Sequence, residues 1–343
     1  MTSAPPCPGI SDDTWDTIVT EVMAARNLLL LGHVSPDGDA LGSALAVGLA
    51  IQRLPGDRRV QVSFGDEPFV VPANLAWLPG LSLLAEPSQV VEPDVVVTFD
   101  ASSADRLGLL RPVAEAADHL VVVDHHASYD GFGTIAAVDV RAPATAVLAD
   151  ELIRRCGGTV DHDVAANLYT GLVTDTGSFR YVGTTPETHA LAGRLLQTGI
   201  RFDLIARELF DTVPFDYLGL LGRALDRSVL ERDAAGGLGL VWTVVPALER
   251  QQLDLAFDMV EPIIDTVRKA AQAEVACVVK EDDLGQLRVS MRSKGHIDLS
   301  VIAMSLGGGG HRYAAGFTAA TRDLDVVIES VRAGLREAPH LVS

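Results

Sequence analysis

The sequence predicts an α/β protein: a mainly parallel sheet domain, then a helical connector and a smaller α+β domain. Three observations carry that expectation. Runs at Leu28–Leu31, Val95–Phe99 and Leu120–Val123, apolar except for Thr98, have the length and composition of buried strands. Helical segments separate them, as in βαβ units with a parallel sheet. Beyond about residue 231 the pattern changes to alternating strands. Gln286 to Arg292 is the clearest, with Leu287, Val289 and Met291 on one face and Arg288, Ser290 and Arg292 on the other. The expected bounds are 12–185, 186–231 and 232–340.

The elements follow in order. Met1 to about Ser11 reads as a loose tail. Ser11 to Arg26 is helical, with Asp12 and Asp13 at its positive end. The Leu28–Leu31 strand runs into HVSPDGDALGS, His33 to Ser43. Ala40, Leu41, Ala44, Leu45, Leu49 and Ile51 are then spaced like the buried side of a helix. Arg59 to Phe64 alternates as a strand. Val95–Phe99 ends on Asp100, and Leu120–Val123 ends on Asp124, His125 and His126. Helices are expected at Pro143 to Cys156 and Val164 to Val173, the second placing Asp175 where a helix gives way to a turn. Pro186 to about Glu231 reads as helices joined by short turns. Strands follow at Gly239–Val245 and Ala273–Val279, with helices at about Asp258–Ala271 and Asp298–Leu306. The run Gly307 to His311 precedes a further strand to about Ala319 and a last helix to about Arg336.

Composition narrows the partners. A chain of 343 residues with 48% hydrophobic content has room for two domains with real cores. A formal net charge of −19 repels long polyanions, so an anionic ligand should be small and met by local positive charge. Cys7, Cys156 and Cys277 form no CxxC or disulfide pattern, which fits a reducing compartment. With no secretory signal and no apolar run long enough to cross a bilayer, the expectation is a soluble cytoplasmic protein.

Three strands end in His or Asp. Right-handed crossovers bring those ends to one sheet edge, where open α/β sheets place ligands. Asp37 and Asp39, both near His33, are costly repulsion in an ordinary loop, and a cation turns that repulsion into binding. A second reading needs no ligand: Asp39 caps the helix and Asp37 makes an Asx-turn. Taken together, His33, Asp37, Asp39, Asp100, His125, His126 and Asp175 suit first-row divalent metals better than calcium. They are enough for two ions sharing a bridging carboxylate.

GHVSPDGDALGS, the Asp100 strand end, DHH at Asp124–His126 and GLVTDTGSF around Asp175 resemble, in order, the four motifs of the DHH phosphoesterase family. GGGGHRYAAGF, preceded by MRSKG, resembles the substrate-binding DHHA1 domain, and the likeness is strongest to the oligoribonuclease and pAp phosphatase group, the nanoRNases. The resemblance implies two Mn²⁺ ions, one on His33, Asp37 and Asp100 and one on Asp39, Asp100, His125 and Asp175. It implies that His126 faces the scissile phosphate and that Asp124 orients the histidines. It also implies that Arg292, Ser293 and Gly308, Gly309, Gly310 and His311 fix a terminal phosphate. The expected active site lies in the cleft between the domains. The implied substrates are oligoribonucleotides of two to five residues, linear dinucleotides such as pApA and pGpG, and pAp, with cyclic dinucleotides also open. Long duplex nucleic acid and membranes are not expected partners; a homodimer is allowed. Competing readings are a family II inorganic pyrophosphatase, whose second domain is more densely basic, a RecJ-like exonuclease, for whose extra domains there is no room, and a nucleotide sensor, which predicts broken ligands where none is missing.

Overall fold

A computed structural model describes residues 9–339 and 341; Cys7 and most of the expected tail lie outside the described residues. The chain forms two compact units that meet in sequence at Thr212 and Val213, inside the span expected to be a connector.

In the first unit, α1 (Asp12–Ala24) leads to β1 (Asn27–Leu31), α2 (Gly38–Gln52), β2 (Arg59–Ser63), β3 (Val95–Phe99), α3 (Arg111–Ala116), β4 (His119–Asp124) and β5 (Ile135–Val138). Helices α4 (Thr145–Arg155), α5 (His162–Asp175), α6 (Pro186–Leu196) and α7 (Phe202–Ala206) follow. The five strands pair in the order β2-β1-β3-β4-β5, all parallel. Alternate side chains serve opposite faces: Leu28 and Leu30 join the core beneath α2, α4 and α5, while Leu29 and Leu31 pack with Leu107, Leu110 and Ala114. Because β1, β3 and β4 run the same way, Gly32, Asp100 and His125 all leave the sheet at its carboxyl edge.

Helix α2 is buried on every side from Gly38 to Ile51, not only along the expected stripe. It lies under the sheet and against α5. A Cβ at Gly42 would stand 2.6 Å from the Asn167 carbonyl oxygen, so the two helices approach as closely as a glycine permits. The expected sheet was missing β5, a four-residue edge strand that is only partly buried.

The second unit contains α8 (Phe215–Asp226), β6 (Val229–Glu231), β7 (Leu240–Val245), α9 (Ala247–Gln251), α10 (Ile263–Val267), β8 (Val275–Glu281) and β9 (Leu287–Ser293). It ends with α11 (Leu299–Ser305), β10 (Gly309–His311), β11 (Ala314–Thr318) and α12 (Leu324–Glu337). The sheet order is β10-β11-β9-β8-β7-β6, antiparallel except for β7 with β8. Val275, Cys277, Val289 and Met291 pack against α11 and α12 on one face; Val241, Ala276 and Val278 pack against α8 and α10 on the other. Two expectations fail here. Val229–Glu231 pairs as an edge strand instead of ending a helix. The helix expected over Asp258–Ala271 splits into a 3₁₀ turn at Phe257–Val260 and α10, because Pro262 has no N–H to continue the ladder. Burial pushes the thiols of Cys156 and Cys277 up to about 12, so both are packing residues.

Candidate active site

The loop after β1 supplies His33 and Asp37. Asp37 is the N-cap of α2: its Oδ1 accepts from the amides of Asp39 (3.0 Å) and Ala40 (3.1 Å). Its Oδ2 lies 3.8 Å from His33 Nε2. The capping and ligand readings of this loop therefore hold together, with the cap at Asp37 and not at Asp39. One oxygen fixes the helix start, and the other faces the imidazole.

Asp39, fully buried in the first turn of α2, points instead at the start of α4. Its carboxylate accepts from the amides of Thr145 (2.5 Å) and Ala146 (2.8 Å) and from the Ser43 hydroxyl (3.2 Å). The amino end of α4 thus aims two unpaired N–H groups at a negative charge. Gly171 on α5 makes the space: a Cβ there would sit 2.6 Å from Asp39 Oδ1.

Asp100 follows β3 with φ of 60°, a left-handed conformation uncommon for a residue with a side chain. Its amide donates to Val123 (3.1 Å) and its Oδ1 accepts from Thr145 Oγ1 (2.9 Å). This strained backbone puts the carboxylate between two imidazoles, with Oδ2 3.5 Å from His33 Nε2 and Oδ1 3.3 Å from His125 Nε2. Asp175, at the end of α5, lies 2.9 Å from the same His125 Nε2. It precedes three successive left-handed residues, Gly177, Ser178 and Phe179, and the loop they form is held by Thr176.

Each histidine is oriented through its other nitrogen. Nδ1 of His33 meets the Val34 carbonyl at 2.8 Å, and Nδ1 of His125 meets the Ala142 carbonyl at 2.9 Å. A carbonyl only accepts, so Nδ1 carries the proton and Nε2 faces the carboxylates, the arrangement found at histidine metal ligands. His126 differs: its Nδ1 contacts Asp124 Oδ1 at 2.8 Å. Asp124 thus orients His126, and a main-chain carbonyl holds Nδ1 of His125. The second oxygen of Asp124 is buried without a hydrogen-bond partner among the described residues.

The electrostatics are those of crowded acids. Burial, then the charges of Asp100 and Asp175, push Asp39 well above the usual carboxylate range. Burial raises Asp175 as well, against the pull of His125. Burial opposes ionisation of Asp100 too, but His126, His125 and His33 outweigh it and hold Asp100 well below that range. Burial and Arg106 work to lower His33, yet Asp100 and Asp37 bring it to about 9. His125 is raised well above its ordinary value by Asp175 and Asp100 against burial. Protons thus supply the counter-charge that divalent cations would supply, and cations and protons compete for the same atoms.

Two donor sets stand side by side. His33, Asp37 and Asp100 offer atoms within 4.8 Å of one another, and so do Asp39, His125 and Asp175. Imidazole with carboxylate suits a first-row divalent ion, and Asp100 directs one oxygen toward each set. The residues present fit a pair of metals. Sequence reasoning missed Thr145, Ala146, Ser43 and Gly171, which position Asp39 and Asp100 without being ligands.

In the second unit, Arg292 is half-buried on β9, and its Nη1 donates to the Met291 carbonyl at 3.0 Å. Ser293 is buried at the end of β9. Its hydroxyl donates to Glu274 Oε1 (2.7 Å) and accepts from the amides of Gly295 (3.2 Å) and Ile297 (3.3 Å), so it ties down its own loop. The expected glycine loop is partly a strand, with Gly309–His311 forming β10 at the sheet edge. A Cβ at Gly308 would stand 2.1 Å from the Gly316 carbonyl oxygen, and one at Gly310 2.6 Å from that of Ala314, whereas the position at Gly309 is open. Two of the glycines therefore serve close strand pairing.

The chain is similar to known proteins in sequence and in fold. The DHH family N-terminal domain matches residues 27–172, and the DHHA1 domain matches residues 243–337. The chain is 31% identical to the bifunctional oligoribonuclease and PAP phosphatase NrnA of Thermus thermophilus, over 93% of each chain. It is 26% identical to the cyclic-di-AMP phosphodiesterase GdpP of Geobacillus thermodenitrificans, over 93% of this chain but 48% of that protein. An exopolyphosphatase-related protein from Bacteroides fragilis has the same fold, with a TM-score of 0.83 at 24% identity and 98% coverage of both chains. Among the described residues no helix is long and apolar enough to cross a membrane. The chain belongs to the DHH family of phosphoesterases, a DHH domain followed in sequence by a DHHA1 domain.

Proposed function

We propose that this protein is a dinuclear-metal phosphoesterase, acting in the cytoplasm, that hydrolyses short oligoribonucleotides and linear dinucleotides such as pApA and pGpG to mononucleotides, and pAp to AMP and phosphate. The observation that carries the proposal is the placement of Asp100, one oxygen toward His33 and Asp37 and the other toward His125, beside Asp39 and Asp175. His33, Asp37 and Asp100 would hold one divalent ion, most simply Mn²⁺, and Asp39, Asp100, His125 and Asp175 the other. When bound, such ions lower the pKa of water and polarise a phosphoryl group.

The chain's own residues do the rest. The carbonyls of Val34 and Ala142 keep His33 and His125 in the ligating tautomer. Thr145 and the amino end of α4 fix Asp39 and Asp100 so that neither reorganises during turnover. His126, whose pKa Asp100 and Asp124 raise against burial, would present a ring N–H to the phosphate. In the DHHA1 domain, Arg292 on β9 offers a planar guanidinium for a far phosphate, in the same cross-strand row as Ala314 of β11 and His311 of β10. Holding the far end limits substrate length, which fits the acidic composition, since a nuclease tracking long strands wants a basic groove. The match to GdpP favours cyclic dinucleotides as a second substrate class.

The test supplies Mn²⁺ with pApA, pAp and pyrophosphate separately. AMP from the first two, with pyrophosphate untouched, is the expected result. Hydrolysis of pyrophosphate alone overturns the proposal in favour of a pyrophosphatase. Binding without turnover overturns it in favour of a sensor.

A further inference from the structure

The turn that follows Asp100 carries an arginine with no role in the proposed site. This 3₁₀ turn, Ala104–Leu110, is tied to the His33 loop and to the end of β2. The Arg106 carbonyl accepts from the Val34 amide (2.8 Å), and the Leu109 amide donates to the Gly65 carbonyl (3.0 Å). Gly108 makes the approach possible. It is left-handed at φ of 54°, and a Cβ there would stand 2.4 Å from the Gly65 carbonyl oxygen and 2.5 Å from Val34 Cγ1. The main chain of Arg106 is thereby bonded to the residue after His33. Its side chain is exposed, yet its charge reaches the site: together with burial, it opposes protonation of His33.

Two features need an explanation. Acidic residues outnumber Lys and Arg by 46 to 27, and Arg111 in the next helix pairs with both Asp105 and Glu115. Arg106, beside Asp105, has no side-chain hydrogen bond or ion pair among the described residues. A fixed positive charge next to a pocket for divalent cations also repels them. An anion between guanidinium and cation removes that cost, because both attract it. We propose that Arg106 binds a phosphate oxygen of the substrate from the His33 side of the site. The inference rests on the phosphoesterase reading and adds a second positive grip on the phosphate. A guanidinium gives a phosphate two parallel N–H···O bonds. It recognises the phosphate and not the base, so adenosine gains nothing from it.

Calorimetric titration of AMP and of adenosine into the full chain with Mn²⁺ tests this. Arg106→Gln should weaken AMP about 10–100-fold and leave adenosine unchanged, with Arg106→Lys between it and the wild type. Arg59→Gln is the control for net charge. Arg59 is an exposed arginine that starts β2, at the sheet edge away from the site, and its loss should change neither affinity. The inference is overturned by Arg106→Gln binding AMP like the wild type, by an equal loss of adenosine, or by an equal effect of Arg59→Gln. A wild type that binds AMP no more tightly than adenosine also overturns it. The phosphoesterase reading fails separately, if AMP binds through Arg106 but neither pApA nor pAp is hydrolysed.

Discussion

Gly171→Ala separates a structural role of α5 from its role in the site. In an ordinary helix interior this change stabilises by about 1 kcal/mol, because glycine is the poorer helix former. Here the added Cβ would lie 2.6 Å from Asp39 Oδ1, 3.0 Å from Ala146 Cβ and 3.1 Å from Asp39 Cα. Overpacking of this kind costs about 1–3 kcal/mol, so it cancels or exceeds the propensity gain. Relief requires Asp39 Oδ1 to retreat by about 0.8 Å to reach an ordinary contact distance. The amides of Thr145 and Ala146, at 2.5 and 2.8 Å, oppose that retreat. A displacement of this size in a catalytic constellation lowers turnover about 10–100-fold. The assay is Mn²⁺ titration by calorimetry with turnover of pApA, alongside a thermal melt. Gly193→Ala in α6 is the control, since its added Cβ meets nothing within 4 Å; it should leave both readouts unchanged. Wild-type metal affinity and turnover in Gly171→Ala would refute the placement of Asp39 in the site.

Three further outcomes follow from the same geometry. Asp100→Ala should abolish turnover while the protein stays folded by circular dichroism, and wild-type turnover would exclude Asp100 as the shared ligand. Metal-free protein should lose stability as pH rises. His33 has a raised folded pKa, so its contribution is complete below 6.5 and disappears through about 9, on the order of 3 kcal/mol. The raised values of His125, Asp39 and Asp175 carry the same sign. Stabilisation by added Mn²⁺ should grow over that interval, and melts at pH 6.5 and 9 with and without the metal check both slopes. Ser293→Ala should cost about 1–3 kcal/mol in urea unfolding, as two amides lose their acceptor and Glu274 keeps only His296, with KM for pApA unchanged; a raised KM at unchanged stability would place Ser293 on the substrate.

What was legible in the chain was whatever residue type alone decides. The apolar runs before His33, Asp100 and His125 are strands because a strand buried on both faces admits little else, and their ends share an edge because parallel order leaves no alternative. Less legible was whatever depends on main-chain groups. Thr145 and Ala146 hold Asp39 through amides that no letter encodes, and the tautomer of His125 is set by a carbonyl 17 residues away. Asp37 was read as ligand or turn, although its two oxygens serve cap and site at once. Pro262 breaks the helix expected over Asp258–Ala271. Close strand pairing at Gly308 and Gly310 also depends on the absence of a side chain, which residue type does not reveal.

The central claim is that two divalent ions share the carboxylate of Asp100. Electron paramagnetic resonance during a Mn²⁺ titration tests it most directly, because ions about 3.5–4 Å apart on a shared ligand are magnetically coupled. The account predicts that the isolated-ion spectrum seen at one equivalent gives way to a coupled-pair spectrum at two, and that Asp100→Ala abolishes the coupling. Saturation at one equivalent, or two equivalents giving only the sum of isolated ions, would contradict it.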